Sequence, residues 1–134
     1  MDIERLPVTA EEIVNTFMAR ITAMDLDGAL ELAADDIEYD NVPMSKVTGP
    51  DGIRSVFAQL DAMGVDSMEW IVHHQVASDT TVMNERTDRF GIGDRWSSIA
   101  VAGLFVVVDG RITLWRDYFD LTAMTATITE LTAP

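Results

Sequence analysis

The sequence predicts an α+β domain: a curved, antiparallel or mixed sheet packed on helices from the N-terminal part of the chain. Two observations carry this. Up to about residue 64 the apolar residues recur at helical spacing, and from Asp66 onward the period changes to two. Helices first and strands second give layers in which the helices cover one face of the sheet. Length agrees, because 134 residues suit one domain and are too few for two ordinary ones. With 48% hydrophobic residues the chain has material for a core, which argues against disorder. A domain of this size buries roughly two-thirds of the surface its unfolded chain exposes, so a stable monomeric fold is feasible.

Thr9-Ala10-Glu11-Glu12 has the capping-box pattern, with Thr9 as N-cap and Glu12 reaching back to it. Ile13, Phe17 and Ile21, joined by Val14 and Met24, then repeat at helical spacing up to about Met24. Leu26 to Ala34 reads as a second, shorter helix with Leu30 and Ala33 facing inward. Gly49-Pro50-Asp51-Gly52 opens a third, with Ile53, Val56, Phe57 and Leu60 as its apolar stripe and Gly64 as its stop. From Asp66, Met68, Trp70, Val72 and His74 alternate with Glu69, Ile71 and His73, which is a strand. Ser78-Asp79 marks a turn, Thr80 to Phe90 a second strand, and Gly91-Ile92-Gly93-Asp94 a loop. Arg95 to Val108 is a long strand, Asp109-Gly110 a strong hairpin turn, and Arg111 to Asp120 the last strand. The Thr-rich tail after Leu121 is ambiguous, and there is no internal repeat, linker or low-complexity segment. A curved sheet folded over helices leaves a cavity between the layers.

The formal net charge is −14, from 23 acidic residues against 9 Lys plus Arg. Such a chain repels phosphate backbones and anionic membrane surfaces, and no basic stripe tracks nucleic acid. The sign suits a neutral or apolar ligand better than an anionic one. The absence of cysteine from the sequence excludes disulfides, thiolate metal sites and a Cys nucleophile. Met1-Asp2-Ile3-Glu4-Arg5 lacks the apolar core of a signal peptide, and no apolar run approaches the ~18 residues of a membrane span. The expectation is a soluble cytoplasmic protein.

Charge out of place points to function. Successive strand residues face opposite sides, so Val82, Asn84, Arg86, Asp88 and Phe90 share one face. Met83, Glu85, Thr87 and Arg89 share the other and read as solvated. If the Val82/Phe90 face is the inner one, Arg86 and Asp88 are buried side by side, and buried charges are rare unless paired. Trp115, Asp117, Phe119 and Leu121 repeat the anomaly, with Asp117 between two aromatics. Apolar surroundings raise a carboxyl pKa, and a nearby guanidinium lowers it. In Ile37-Glu38-Tyr39-Asp40-Asn41, Ile37, Tyr39 and Asn41 share a face, offering a phenol and an amide to a held water. A structural ion pair would account for Arg86 and Asp88 alone. A second carboxylate favours chemistry, because two carboxylates around one arginine can share a proton as base and acid.

These residues resemble the limonene-1,2-epoxide hydrolase family. Tyr39-Asp40-Asn41-Val42-Pro43, Glu85-Arg86-Thr87-Asp88 and Trp115-Arg116-Asp117-Tyr118-Phe119-Asp120-Leu121 match its motifs in the same chain order. Arg-x-Asp alone carries no signal; the three together, at matching intervals from about Glu12 to Leu121, are specific. The resemblance implies the cone-shaped fold of nuclear-transport-factor-2-like proteins and ketosteroid isomerases, with a deep apolar pocket, and a homodimer. It also implies one-step addition of water to an apolar, cyclic or terpene-like epoxide, giving a diol with no covalent intermediate, metal or cofactor. By position, Asp117 is the general base and Asp88 the protonated general acid. Tyr39 and Asn41 hold the water, and Arg86 bridges the carboxylates. The loop Met44-Ser45-Lys46-Val47-Thr48 and the tail after Leu121 depart from the family pattern, so the resemblance does not settle the substrate.

Met24, Leu60, Met63, Trp70, Ile99, Val101 and Phe119 fall on faces that can wall the pocket. His73 and His74, adjacent in a strand, are expected on opposite faces, one half-buried and one solvated, so no metal site is expected. Asp25, Asp27, Asp35 and Asp36 suit helix ends and lack Ca²⁺-loop spacing. Gly91-Ile92-Gly93 is too short for a dinucleotide fingerprint, and Ser97-Ser98 has no matching base. Two rivals share the architecture: an isomerase or polyketide cyclase with one base and a neutral oxyanion donor, and a non-catalytic apolar-ligand module needing no matched acid and base.

Overall fold

A computed structural model describes residues 9–134. The reading of Met1–Arg5 lies outside the described residues. The first helix, α1 (Ala10–Thr22), starts where the capping pattern placed it: Thr9 Oγ1 accepts from the Glu12 N–H at 3.1 Å. Its Ile13, Val14, Phe17, Met18 and Ile21 are buried. The second, α2 (Leu26–Leu30), is shorter than expected. The chain leaves it for β1 (Ala33–Asn41), so Ala33 and Ala34 are strand residues. Alanine is a good helix former, but Ala33 pairs with Ile112 of the last strand, and sheet pairing overrides the propensity.

A two-residue strand, β2 (Val47–Thr48), leads into α3 (Gly49–Ala62), which carries Pro50 in its first turn. Gly64, at φ +96°, turns the chain out of that helix. Four strands follow: β3 (Ser67–Ala77), β4 (Thr81–Ile92), β5 (Arg95–Val108) and β6 (Arg111–Tyr118). Gly91 and Ile92 extend β4, so only Gly93-Asp94 turns the chain. Asp109 (φ 51°) and Gly110 (φ 78°) both take the left-handed conformation that a two-residue hairpin of this twist requires.

The last strand stops at Tyr118, two residues short of the expected end. Asp120 caps a fourth helix, α4 (Leu121–Thr132), accepting from the Ala123 N–H at 2.9 Å. The threonine-rich tail hid this helix because β-branched residues disfavour it; burial of Leu131 and packing on β5 supply what propensity lacks.

The curved, unclosed sheet runs β2-β1-β6-β5-β4-β3. It is mixed: β1 and β6 are parallel, and the other pairs are antiparallel. Its inner face packs on α1, where Trp115 meets Phe17 edge-on at 5.1 Å and Tyr39 face-on at 3.9 Å. A bulge between Val72 and His74 changes the register of β3. It corrects the expectation for the histidines. Both are exposed on the outer face, where His73 Nε2 bonds Thr87 Oγ1 at 2.8 Å and His74 Nδ1 bonds Glu85 Oε1 at 2.9 Å.

Candidate active site

Strand β4 presents Asn84, Arg86 and Asp88 in file on the inner face, with exposures of 6%, 1% and 4%. The alternation of the sequence dictates this, because Val82 and Phe90 of the same file are core residues. Strand β6 brings Trp115 and Asp117 to the same face, and β1 brings Tyr39 and Asn41. Register ties the last two strands together, pairing Tyr39 with Trp115 and Asn41 with Asp117.

The guanidinium of Arg86 joins the carboxylates. Its Nε donates to Asp88 Oδ1 and its Nη2 to Asp88 Oδ2, both at 2.9 Å, a two-pronged fork. The same Nη2 donates to Asp117 Oδ2 at 3.1 Å, and Nη1 donates to Asn84 Oδ1 at 2.9 Å. The Trp70 ring lies 4.8 Å from the guanidinium carbon. Asp117 Oδ2 also accepts from Trp115 Nε1 at 3.1 Å. Among the described residues, buried side-chain atoms without a partner are Asp117 Oδ1 and Trp70 Nε1.

Arg86 fits there because residue 103 is glycine. Gly103 stands on β5 between Asn84 of β4 and Asp117 of β6. A Cβ at that position would lie 2.3 Å from Arg86 Nη1, 2.9 Å from Asn84 Oδ1 and 3.0 Å from Asp117 Oδ1. Sequence reasoning missed Gly103. Its signal was a glycine inside a strand pattern, which marks a close approach. It also placed Asn84 on the inner face without a role, and did not see the Trp115 indole as a donor to Asp117.

Burial pushes the Asp117 carboxyl up to about 6; the Asp88 charge adds to this, while Arg86 and Trp115 oppose it. Burial, then the Asp117 charge, raises the Tyr39 phenol, which therefore stays a neutral hydroxyl. Burial alone would lower Arg86, but its hydrogen bonds and its two carboxylate neighbours more than reverse this, and it stays a cation. Three formal charges thus sum to −1, and one added proton makes the cluster neutral.

A cavity of about 360 Å³ opens against the cluster. Tyr39, Asn41, Asp88 and Asp117 line it, and Arg86 lies behind the two carboxylates with its side chain wholly buried. Of the expected lining residues, Leu60, Met63, Trp70, Ile99, Val101 and Phe119 face this cavity. Met24 does not; it lines a neighbouring cavity of about 320 Å³ that shares Phe57, Leu60 and Met68 with the first. The two segments that depart from the family pattern contribute Met44, Ser45, Val47 and Met124. Among the described residues, no group of three or more His, Asp or Glu side chains is arranged to hold a metal, and no helix is long and apolar enough to cross a membrane.

The architecture is that of the nuclear-transport-factor-2-like proteins, here with a buried pair of carboxylates bridged by arginine. A structure described as an LEH-like epoxide hydrolase of M. tuberculosis superposes with a TM-score of 0.77 and 33% identity, covering 91% of this chain and 90% of that one. A putative polyketide cyclase from Xanthomonas campestris pv. campestris shares the fold alone, at a TM-score of 0.72 and 20% identity over 89% and 96% of the two chains. In sequence, epoxide hydrolase EphG of Mycobacterium tuberculosis (strain ATCC 25618 / H37Rv) is 38% identical over 108 residues, 81% of this chain and 71% of its own length. The family profile described as limonene-1,2-epoxide hydrolase catalytic domain matches residues 8–129. The chain belongs to the limonene-1,2-epoxide hydrolase family.

Proposed function

We propose that this protein adds water to an apolar epoxide, cyclic or terpene-like, giving a vicinal diol in one step without a covalent intermediate, metal or cofactor. The observation that carries the reading is the single Arg86 nitrogen bonded to both Asp88 and Asp117, behind two carboxylates that line an apolar cavity. Family membership supplies the reaction class.

Asp117 is the general base. Its Oδ1 has no protein partner, Asn41 is its register neighbour, and the neutral Tyr39 hydroxyl and Asn41 line the same cavity, which supports a water held between them and Asp117. The water oxygen attacks one epoxide carbon as its proton passes to Asp117. The C–O bond breaks, and the proton of Asp88 passes to the ring oxygen. Each Asp88 oxygen accepts one bond from the fork and keeps a lone pair for that proton. Afterwards Arg86, touching both groups, lets the proton return from Asp117 to Asp88. Ring strain favours opening, so positioning and paired proton transfer supply the rate.

The fork on Asp88 also suits the reverse assignment, with Asp117 as acid. The position of Tyr39 and Asn41 beside Asp117 favours Asp117 as base, and with roles reversed Tyr39→Phe would leave water activation untouched.

The homodimer implied by the resemblance and a cytoplasmic setting belong to the same proposal. Exposed Ile71, Val76 and Met83 on the outer sheet face support the first.

The test is single-turnover hydrolysis of a panel of cyclic and terpene epoxides in ¹⁸O-water. Label entering the diol in the first turnover, lost in Asp117→Asn and Asp88→Asn, supports direct addition. Unlabelled first-turnover diol would point to a covalent intermediate. A folded protein that converts no epoxide moves the cyclase and binding-module readings ahead.

A further inference from the structure

The Arg86 guanidinium is anchored on a side the proposed chemistry does not use. Its Nη1 donates to Asn84 Oδ1 at 2.9 Å. Asn84 Nδ2 donates to Gln75 Oε1 at 3.2 Å and faces Met18 Sδ at 3.5 Å. Gln75 Nε2 donates in turn to Asn15 Oδ1 at 2.9 Å and Glu11 Oε2 at 3.0 Å on α1. Every bond in this chain points the same way, from the buried cation outward to a carboxylate at the surface. Such an aligned chain is mutually polarising, and it determines the orientation of each amide. The acceptor on Gln75 obliges Asn84 to turn its oxygen toward Arg86, because a reversed amide would set nitrogen against Nη1 and oxygen against Oε1.

We infer that Asn84 is a positioning residue for the proposed hydrolysis: oriented by Gln75, it takes up Arg86 Nη1 with a neutral acceptor, so that Nε and Nη2 are left for Asp88 and Asp117. This inference rests on the hydrolase reading for its consequence in rate, and on geometry alone for its consequence in the carboxylates. Neutrality matters as much as position. The charged and titratable groups facing the guanidinium are Asp88 on β4, Asp117 on β6 and Tyr39 on β1, with Glu11 on α1 at the far end of the chain. A third carboxylate at position 84 would leave the cluster one charge more negative and hold the proton on Asp117 more tightly.

The experiment compares Asn84→Asp, Asn84→Ala and Gln75→Ala with wild type, reading kcat and KM across pH and titrating the Asp117 carboxyl by NMR. Asn84→Asp, nearly isosteric, is expected to move the acid limb and the Asp117 titration upward by about one unit or more. Asn84→Ala is expected to lower kcat about 10- to 100-fold with KM little changed. Gln75→Ala, at a half-buried position, is expected to lower kcat by less than Asn84→Ala, again with KM little changed. Folded variants with wild-type kcat, pH profile and Asp117 titration overturn the inference, since a residue that merely fills space moves neither titration nor acid limb. If the Asn84 variants do not fold, an unshifted Gln75→Ala overturns it alone. If wild type hydrolyses no epoxide, the functional reading fails, and the Asp117 titration still decides whether Asn84 positions the arginine.

Discussion

Asp88 and Asp117 stand on strands that are not neighbours, β4 and β6, yet both accept from the same nitrogen of Arg86, at 2.9 and 3.1 Å. Strand β5 separates them and holds Gly103 in the gap. Two carboxylates that share one donor feel each other through it, so a change at one is felt at the other.

Substitutions in the pair should therefore not add. Asp117→Asn and Asp88→Asn are each expected to lower kcat/KM by about three orders of magnitude or more, and the double variant by little beyond that. Tyr39→Phe and Asn41→Ala each remove one group proposed to hold the water and should cost about ten- to a hundredfold. Initial rates on an accepted epoxide check this. Additive losses in the double variant would mean that the carboxylates work independently.

Activity and stability should respond to pH in opposite senses through Asp117. Its carboxyl is pushed up to about 6 from 3.8, so the folded state binds this proton more tightly than the unfolded chain. Its stabilising contribution is present in full below about pH 3.8 and is lost as pH rises through about 6. Asp117→Asn is thus expected to be more stable than wild type at pH 8 by on the order of 1–3 kcal/mol, the gain closing toward pH 4. Denaturant unfolding at the two pH values measures this, and a variant less stable at pH 8 refutes it. The acid limb of kcat/KM should fall near pH 6.

Gly103→Ala places a methyl 2.3 Å from Arg86 Nη1, in a cluster where every guanidinium nitrogen is already engaged. The expected result is destabilisation of about 1–3 kcal/mol and loss of most activity. Thermal unfolding and rate, measured together, check it. A stable, active variant would show that the guanidinium is free to move aside.

Phe57, Leu60 and Met68 are common to the cavity beside Asp88 and Asp117 and to its neighbour. Leu60→Ala should join more of the two volumes and shift preference toward bulkier epoxides, changing the ratio of kcat/KM for a large over a small substrate about tenfold. Competition between two epoxides of different size reads this directly. An unchanged ratio would show that the wall stands without Leu60.

Much of the fold was legible because alternation and helical period report which face is buried. Thr9 and the stripe of α1, the run from β3 to β6, and the Asp109-Gly110 turn all follow from local pattern. Reading failed where tertiary pairing outweighed propensity. Ala33 and Ala34 joined a strand, the threonines of α4 became a helix on β5, and a bulge put His73 and His74 on one face. A bulge changes register by one residue, and no composition marks it.

The sequence by itself determined the class of the domain and the residue types of the site. A charge on an apolar face is legible from a single strand, and the three motifs named the family. Only the tertiary structure decided that Arg86 reaches both carboxylates, that Gly103 makes room for it, that Asn84 accepts from it, and that Trp115 donates to Asp117. The reason is physical: facing within one strand follows from alternation, whereas contacts between β4, β5 and β6 depend on register, and register comes from packing the whole sheet.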